Sequence, residues 1–274
     1  MNAIKYFILL HVFIGSTQFT SAQSHLNNIL KTYEKPYAIN WKTDVPIASI
    51  GLGLTLSQLF TADHALLNYD YVLSLQNKEV NEFDESAINN YSYKAQKASD
   101  ILLYTSMSAP MLLLADPSIR ADWKNTLLIT SETFLVGMGL TLLAKNLSNR
   151  PRPFLYNDNI AVEDKLGADG TNSFFSGHTS MTALSTFMMA KIITDHHPHT
   201  KLKPFIWATA TAIPVTTGIL RYQAGKHFFT DIIAGFTVGA LTGYFVPFIH
   251  QSIKQRRDIK QHYSYDYFGD KIYY

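Results

Sequence analysis

The stretch "GKHFFTDIIAGF" (Gly225–Phe236) sets a histidine and an aspartate four residues apart, just where the chain turns apolar. On a helix, positions i and i+4 share one face, so the spacing predicts that Asp231 accepts a hydrogen bond from one ring nitrogen of His227 and leaves the other free. That arrangement makes a nucleophile or a base. For an isolated His and Asp the plainer reading, a solvent-facing pair capping a helix start, is favoured. The rest of the chain decides between the two.

Two further polar clusters sit at the ends of apolar segments. "KNLSNRPRP" places Lys145 at the close of one segment with Arg152 and Pro153 following, and "FFSGHTS" makes Ser176 a plausible N-cap with Gly177 and His178 opening the next helix. Upstream of His227, Arg221 closes another segment. Each cluster alone has a bland explanation: snorkelling cations, a helix cap, a surface pair. Together they suit a tetrahedral oxyanion. Lys145, Arg152 and Arg221 supply charge and fixed donors, arginine in a bidentate fork. Backbone N–H groups at Gly177 and His178 add donors at the positive end of a helix, and glycine permits close approach. Two histidines can then divide nucleophilic and acid–base work.

The order and spacing resemble the type 2 phosphatidic acid phosphatase superfamily, which includes membrane lipid phosphatases, soluble bacterial acid phosphatases and vanadium haloperoxidases. The family pattern is Lys, six residues, Arg-Pro; then Pro-Ser-Gly-His; then Ser-Arg, five residues, His, three residues, Asp. Lys145 with Arg152-Pro153 matches the first element; Ser176-Gly177-His178 matches the second with Phe175 in place of Pro; Arg221, His227 and Asp231 match the third with Leu220 in place of Ser. All three in order would arise by chance on the order of once in a hundred thousand chains. The likeness is good over Thr126–Phe248 and loose before Ile101. It implies that His227 attacks phosphorus, Asp231 orients its ring, and His178 protonates the leaving alcohol. Lys145, Arg152, Ser176, Gly177 and Arg221 would hold the phosphoryl oxygens, with no metal and no cofactor.

Composition narrows the setting. The chain has 274 residues, a net charge of +2 and no cysteine, which excludes disulfides, thiolate metal sites and a cysteine nucleophile and gives no general nucleic-acid footprint. Apolar segments recur at Val45–Phe60, Ile101–Ala115, Thr126–Ala144, Met181–Ile193, Phe205–Leu220 and Ile232–Ile249. A charged fraction of 16% is low for a soluble chain, while a mean hydropathy of −0.01 is low for six membrane spans. The expectation is an all-α bundle of about six core helices, embedded in a membrane. Glu132, inside one apolar segment, is costly there and invites a functional or satisfied role. Arg150 reads as a solvated extra cation, and "HHPH" (His196–His199) as a loop rather than a metal site.

The chain divides into residues 1–22, a signal peptide or N-terminal anchor; 23–99, with one apolar helix and a polar connection; 100–250, the helical core that the resemblance makes catalytic; and 251–274, a basic, Tyr-rich tail. Basic and His-rich loops at "DPSIRADWKN", "DHHPHTKLKP" and the tail read as cytoplasmic and put the ends near Lys145, Ser176 and His227 outside. A cleaved signal together with a true span at Val45–Phe60 would invert that order, so one of the two is doubted. The resemblance then implies a bacterial envelope enzyme of the inner membrane, its active site facing the periplasm, that hydrolyses a lipid phosphomonoester or pyrophosphate through a phosphohistidine. The alternatives are a soluble periplasmic acid phosphatase, a vanadate-dependent haloperoxidase, or a relict membrane protein.

Overall fold

The computed structural model describes residues 35–57, 67–75, 80–166 and 170–268. The signal-like segment 1–22 and the last six residues of the Tyr-rich end lie outside them. Among the described residues there are nine α-helices and no strand: α1 (Trp41–Leu56), α2 (Tyr69–Ser74), α3 (Tyr93–Ser108), α4 (Pro117–Ala121), α5 (Trp123–Ser148), α6 (Val162–Lys165), α7 (Gly177–His196), α8 (Lys203–Gln223) and α9 (Phe229–Phe268). Six of them, α1, α3, α5, α7, α8 and α9, correspond to the six apolar segments. Each starts before its apolar run, because capping residues and polar first turns carry no hydropathy signal: Asn40 caps α1, Ser92 caps α3 and Ser176 caps α7.

Helix α7 is the axis of the bundle and packs against α3, α5, α8 and α9; α1 lies outside, on α5. Most of α7 is buried, so it needs apolar or self-satisfied side chains all round rather than one apolar face. Its hydroxyls meet that need. Thr182 and Thr194 donate to the carbonyls of His178 and Ala190 at 2.7 and 2.8 Å, and Ser185 reaches across to the Ser106 carbonyl at 2.6 Å. The contact with α9 is backbone on backbone. A Cβ on Gly235, Gly239 or Gly243 would stand 2.5, 2.1 and 2.3 Å from the carbonyl oxygens of Ser176, Ser180 and Leu184, so only glycine fits at this four-residue repeat.

Among the described residues, three helical stretches are long and apolar enough to cross a membrane: Tyr93–Ala115, Trp123–Tyr156 and Phe229–Lys260. Only 17%, 33% and 33% of their most apolar windows is buried, so most of that apolar surface points out of the bundle, as it would toward lipid. Met111, Leu112, Leu147 and Phe205 are each at least 70% exposed.

Candidate active site

The three sequence clusters meet at one end of the bundle. Helix α5 ends after Lys145 with Asn149 in the left-handed region, φ 43°, which turns the chain into Arg150–Pro153. That segment pairs with the approach to α7: Arg152 N–H donates to the Gly170 carbonyl at 2.8 Å and Ser173 N–H to the Arg150 carbonyl at 3.0 Å. Helix α8 closes in a Schellman turn, with Lys226 N–H bonded to the Arg221 carbonyl and Gly225 N–H to the Tyr222 carbonyl. Gly225 takes φ +66° there, and a Cβ on it would fall 2.0 Å from the Asn90 carbonyl oxygen. This turn sets Arg221 and His227 side by side.

His227 is 1% exposed and lies two residues before α9 begins. The helical i, i+4 geometry therefore does not apply to it, and its Nδ1 stands 3.8 Å from the Asp231 carboxylate rather than in a hydrogen bond. Nδ1 donates instead to the Ser173 carbonyl at 2.7 Å. A carbonyl can only accept, so the hydrogen is on Nδ1 and Nε2 carries the lone pair. Nε2 lies 3.2 Å from Arg152 Nη1. Burial, then the charges of Arg152, Arg221 and Lys145, hold the ring well below its usual pKa, so it is neutral at pH 7.

Asp231 serves two purposes that the sequence reading had set against each other. Its Oδ2 accepts from Phe228 N–H at 2.9 Å, closing the first turn of α9, and from Ser173 Oγ at 2.5 Å. It thus acts on His227 through Ser173, whose carbonyl holds the ring. Its Oδ1 takes Arg150 Nη1 at 2.5 Å. Arg150 is not a solvated cation: its other nitrogen reaches Asp84 at 2.8 Å and its guanidinium lies 4.2 Å from the centre of the Phe228 ring. Asp84 also accepts from Thr230 N–H at 3.0 Å, Thr230 Oγ1 at 2.6 Å and Asn81 at 2.9 Å. Burial alone would raise this carboxyl, but the bonds from Thr230, Arg150 and Asn81 hold it below its ordinary value.

His178 opens α7 beside these groups. Its Nε2 pairs with Asp100 Oδ1 at 2.7 Å, and the same oxygen lies 3.5 Å from Arg221 Nη1. Burial and the Arg221 charge push the His178 ring down to about 4 against the opposing pull of Asp100. Gly177 packs closely on α5, where a Cβ would stand 3.2 Å from Thr141 Cγ2 and 3.4 Å from Lys145 Cε. Lys145 Nζ donates to the Asn172 carbonyl at 3.3 Å, and Ser176 Oγ contacts Thr179 Oγ1 at 2.9 Å. All eight sequence candidates are thus gathered at this end of the bundle. Asp84, Asp100, Arg150 and Ser173 join them, and three of these were not singled out from the sequence. Asp84 and Asp100 lie on the polar, weakly patterned side of the chain, and Ser173 acts through a backbone carbonyl.

The other polar residues singled out in the sequence lie elsewhere. His196 and His197 face separate carboxylates, Asp122 at 3.7 Å and Asp116 at 2.8 Å, so they do not form one metal centre. Glu132 bonds His250 at 2.8 Å. Beside this cluster, a cavity of about 670 Å³ opens between α8 and α9, lined by Pro214, Ile219, Phe229, Ile233, Phe236 and Thr179.

Comparison with known proteins follows the same outline. Over 86 residues the chain is 35% identical to phosphatidylglycerophosphatase B of Bacillus subtilis (strain 168), covering 31% of this chain and 42% of that protein. Over 119 residues it is 29% identical to an acid phosphatase of Zymomonas mobilis subsp. mobilis, covering 43% of this chain and 40% of that one. The matches therefore span about two-fifths of either relative. A solved structure, that of a transmembrane PAP2 type phosphatidylglycerolphosphate phosphatase from Bacillus subtilis, aligns with a TM-score of 0.48 at 22% identity, over 74% of this chain and 96% of that one. Residues 126–255, a stretch that holds Lys145, His178 and His227, match the PAP2 superfamily.

Proposed function

We propose that this chain is a metal-independent phosphatase that removes a phosphoryl group from a lipid phosphomonoester or pyrophosphate through a phosphohistidine on His227, at the outer face of a bacterial inner membrane. The observation that carries the reading is the state of His227: buried, neutral, its Nδ1 hydrogen held by Ser173 and its Nε2 lone pair turned toward Arg152. In-line attack by Nε2 on phosphorus breaks the bond to the leaving oxygen. Lys145, Arg152, Arg221, Ser176 and the Gly177 amide would stabilise charge on the three remaining oxygens, which is ordinarily the largest catalytic term. His178 gives its proton to the leaving oxygen, and then takes one from the water that releases phosphate. A phosphate dianion supplies the negative charge that offsets Arg221 and Arg152, and so favours the protonated His178 that this step requires.

The lipid assignment rests on the apolar cavity against Thr179, next to the site, and on the outward-facing apolar surface of α3, α5 and α9. The relative named acid phosphatase supports a second reading, a broad phosphomonoesterase. Phosphate release from lipid phosphates, lipid pyrophosphates and a soluble aryl phosphate, measured in detergent without metal, separates them. Hydrolysis restricted to lipids supports the first reading; an aryl phosphate cleaved equally fast supports the second. Silence across the panel sinks both.

Two expectations follow from the geometry. Because the His227 pKa is lowered, its neutral form persists as pH falls through the ordinary imidazole range. The acid limb of kcat/KM should therefore lie below pH 6.5, and a loss of rate centred on 6.5 or above would contradict the assignment. Asp100 acts as a positioning residue through His178 and Arg221. Asp100→Asn should lower kcat by about 10- to 100-fold and move the alkaline limb to lower pH, because removing the anion removes support for protonated His178. An unshifted profile would leave Asp100 with a purely structural part.

A further inference from the structure

The bundle contains a second polar cluster that phosphoryl transfer does not use. Asp44 lies in the first turn of α1, Glu132 inside α5 and His250 inside α9, with exposures of 8%, 3% and 0%. Glu132 precedes Lys145 by thirteen residues on the same helix, about 20 Å along its axis. The cluster is therefore remote from the phosphate-binding end.

Its hydrogen bonding is incomplete in one particular way. His250 Nε2 pairs with Glu132 Oε2 at 2.8 Å; with Nε2 as the donor to that carboxylate, Nδ1 is the ring nitrogen free to offer a lone pair. Asp44 Oδ2 accepts from Asn40 N–H at 2.9 Å. Asp44 Oδ1, Glu132 Oε1 and His250 Nδ1 are then buried without a hydrogen-bond partner. His250 Nδ1 and Asp44 Oδ1 are 3.7 Å apart, too far for a hydrogen bond. Three helices thus present three unsatisfied lone-pair donors and two carboxylates to one another, and among the described residues no lysine or arginine side chain is bonded to them. Buried carboxylates of this kind are costly unless compensated.

A proton can serve one or two of these atoms; a divalent cation can serve one from each residue and cancel both charges. Ligand atoms from the three residues all lie within 4.8 Å of one another, so small side-chain rotations suffice to bring them onto one ion. Two carboxylates and an imidazole form a mixed oxygen and nitrogen set, which suits a borderline cation rather than magnesium or calcium, whose ligands are oxygens, or a thiolate-seeking ion. We propose that Asp44, Glu132 and His250 bind a divalent transition-metal ion of the zinc class, which pins α1 to α5 and α9. The site is separate from the phosphatase reading and holds or fails independently of it.

The test uses the full, tag-free chain in detergent, stripped with chelator and dialysed against zinc in excess magnesium. Wild type should retain about one zinc ion per chain, and zinc should raise Tm by about 5–10 °C at a hundredfold excess over Kd. Glu132→Gln and His250→Ala should weaken zinc binding by about tenfold or more. Asp44→Asn, nearly isosteric and at the edge of the cluster, is the third variant, and His197→Ala is a control that should bind like wild type. Wild type without stoichiometric zinc overturns the proposal even if every variant misfolds. Zinc retained equally by Asp44→Asn and Glu132→Gln overturns it too, because the ion would then sit elsewhere.

Discussion

His227→Ala is expected to reduce phosphate release by about 10⁵-fold or more on every substrate the protein accepts, because the proposed covalent step has no substitute once its nucleophile is gone. The expectation rests on three features of the ring. The Ser173 carbonyl fixes which nitrogen carries the hydrogen, burial among cations keeps the ring neutral, and the Schellman turn at Gly225 sets its place relative to Arg221. The variant leaves the Ser173 carbonyl without its donor, so thermal unfolding should accompany the rate measurement. His227→Asn, which keeps a donor of similar reach, separates folding from chemistry: it should fold better than alanine and remain inactive. A rate within about tenfold of wild type in either variant would remove His227 from the nucleophile's role.

Arg150→Leu is expected to destabilise the protein by about 3–5 kcal/mol, since it strips the shared cation from two carboxylates that have no solvent access. Asp84 and Asp231 both lie at 0% side-chain exposure, and Arg150 alone bridges them. Lysine cannot span both with one ammonium, so Arg150→Lys should recover only part of the loss. Chemical or thermal unfolding of the two variants beside wild type checks this. A loss below about 1 kcal/mol for the leucine variant would mean that Thr230, Asn81 and Ser173 suffice for the two carboxylates.

Much of the bundle was legible in the sequence because helical cores write themselves as apolar runs. The six segments from Val45 to Ile249 each became a helix, and the clusters at Lys145, Ser176 and His227 each fell at a helix end. The charged residues that link those ends were harder to read. Arg150 looked solvated because nothing local hinted at Asp84, 66 residues away. Asp100 sat before an apolar run with no motif around it, and its pairing with His178 spans 78 residues. The His227–Asp231 bond failed as an expectation for a local reason: the helix begins at Phe229, two residues too late to place both side chains on one helical face. Glu132 was flagged as an intramembrane charge, but its partner His250 lies 118 residues on and could be found only in three dimensions.

The glycine contacts between α7 and α9 have a mechanical meaning. Gly235, Gly239 and Gly243 sit on the carbonyls of Ser176, Ser180 and Leu184 like teeth in a rack with a pitch of four residues. Sliding one helix along the other by less than a full tooth drives backbone into backbone, and a full tooth is about 6 Å. His178 rides at the head of one helix and His227 just ahead of the other. The distance between His178 and His227, the proton donor and nucleophile of the proposed mechanism, is thus geared to the rack rather than to the tilt of the outer helices, so a bilayer that deforms the periphery should leave the spacing of the two histidines unchanged.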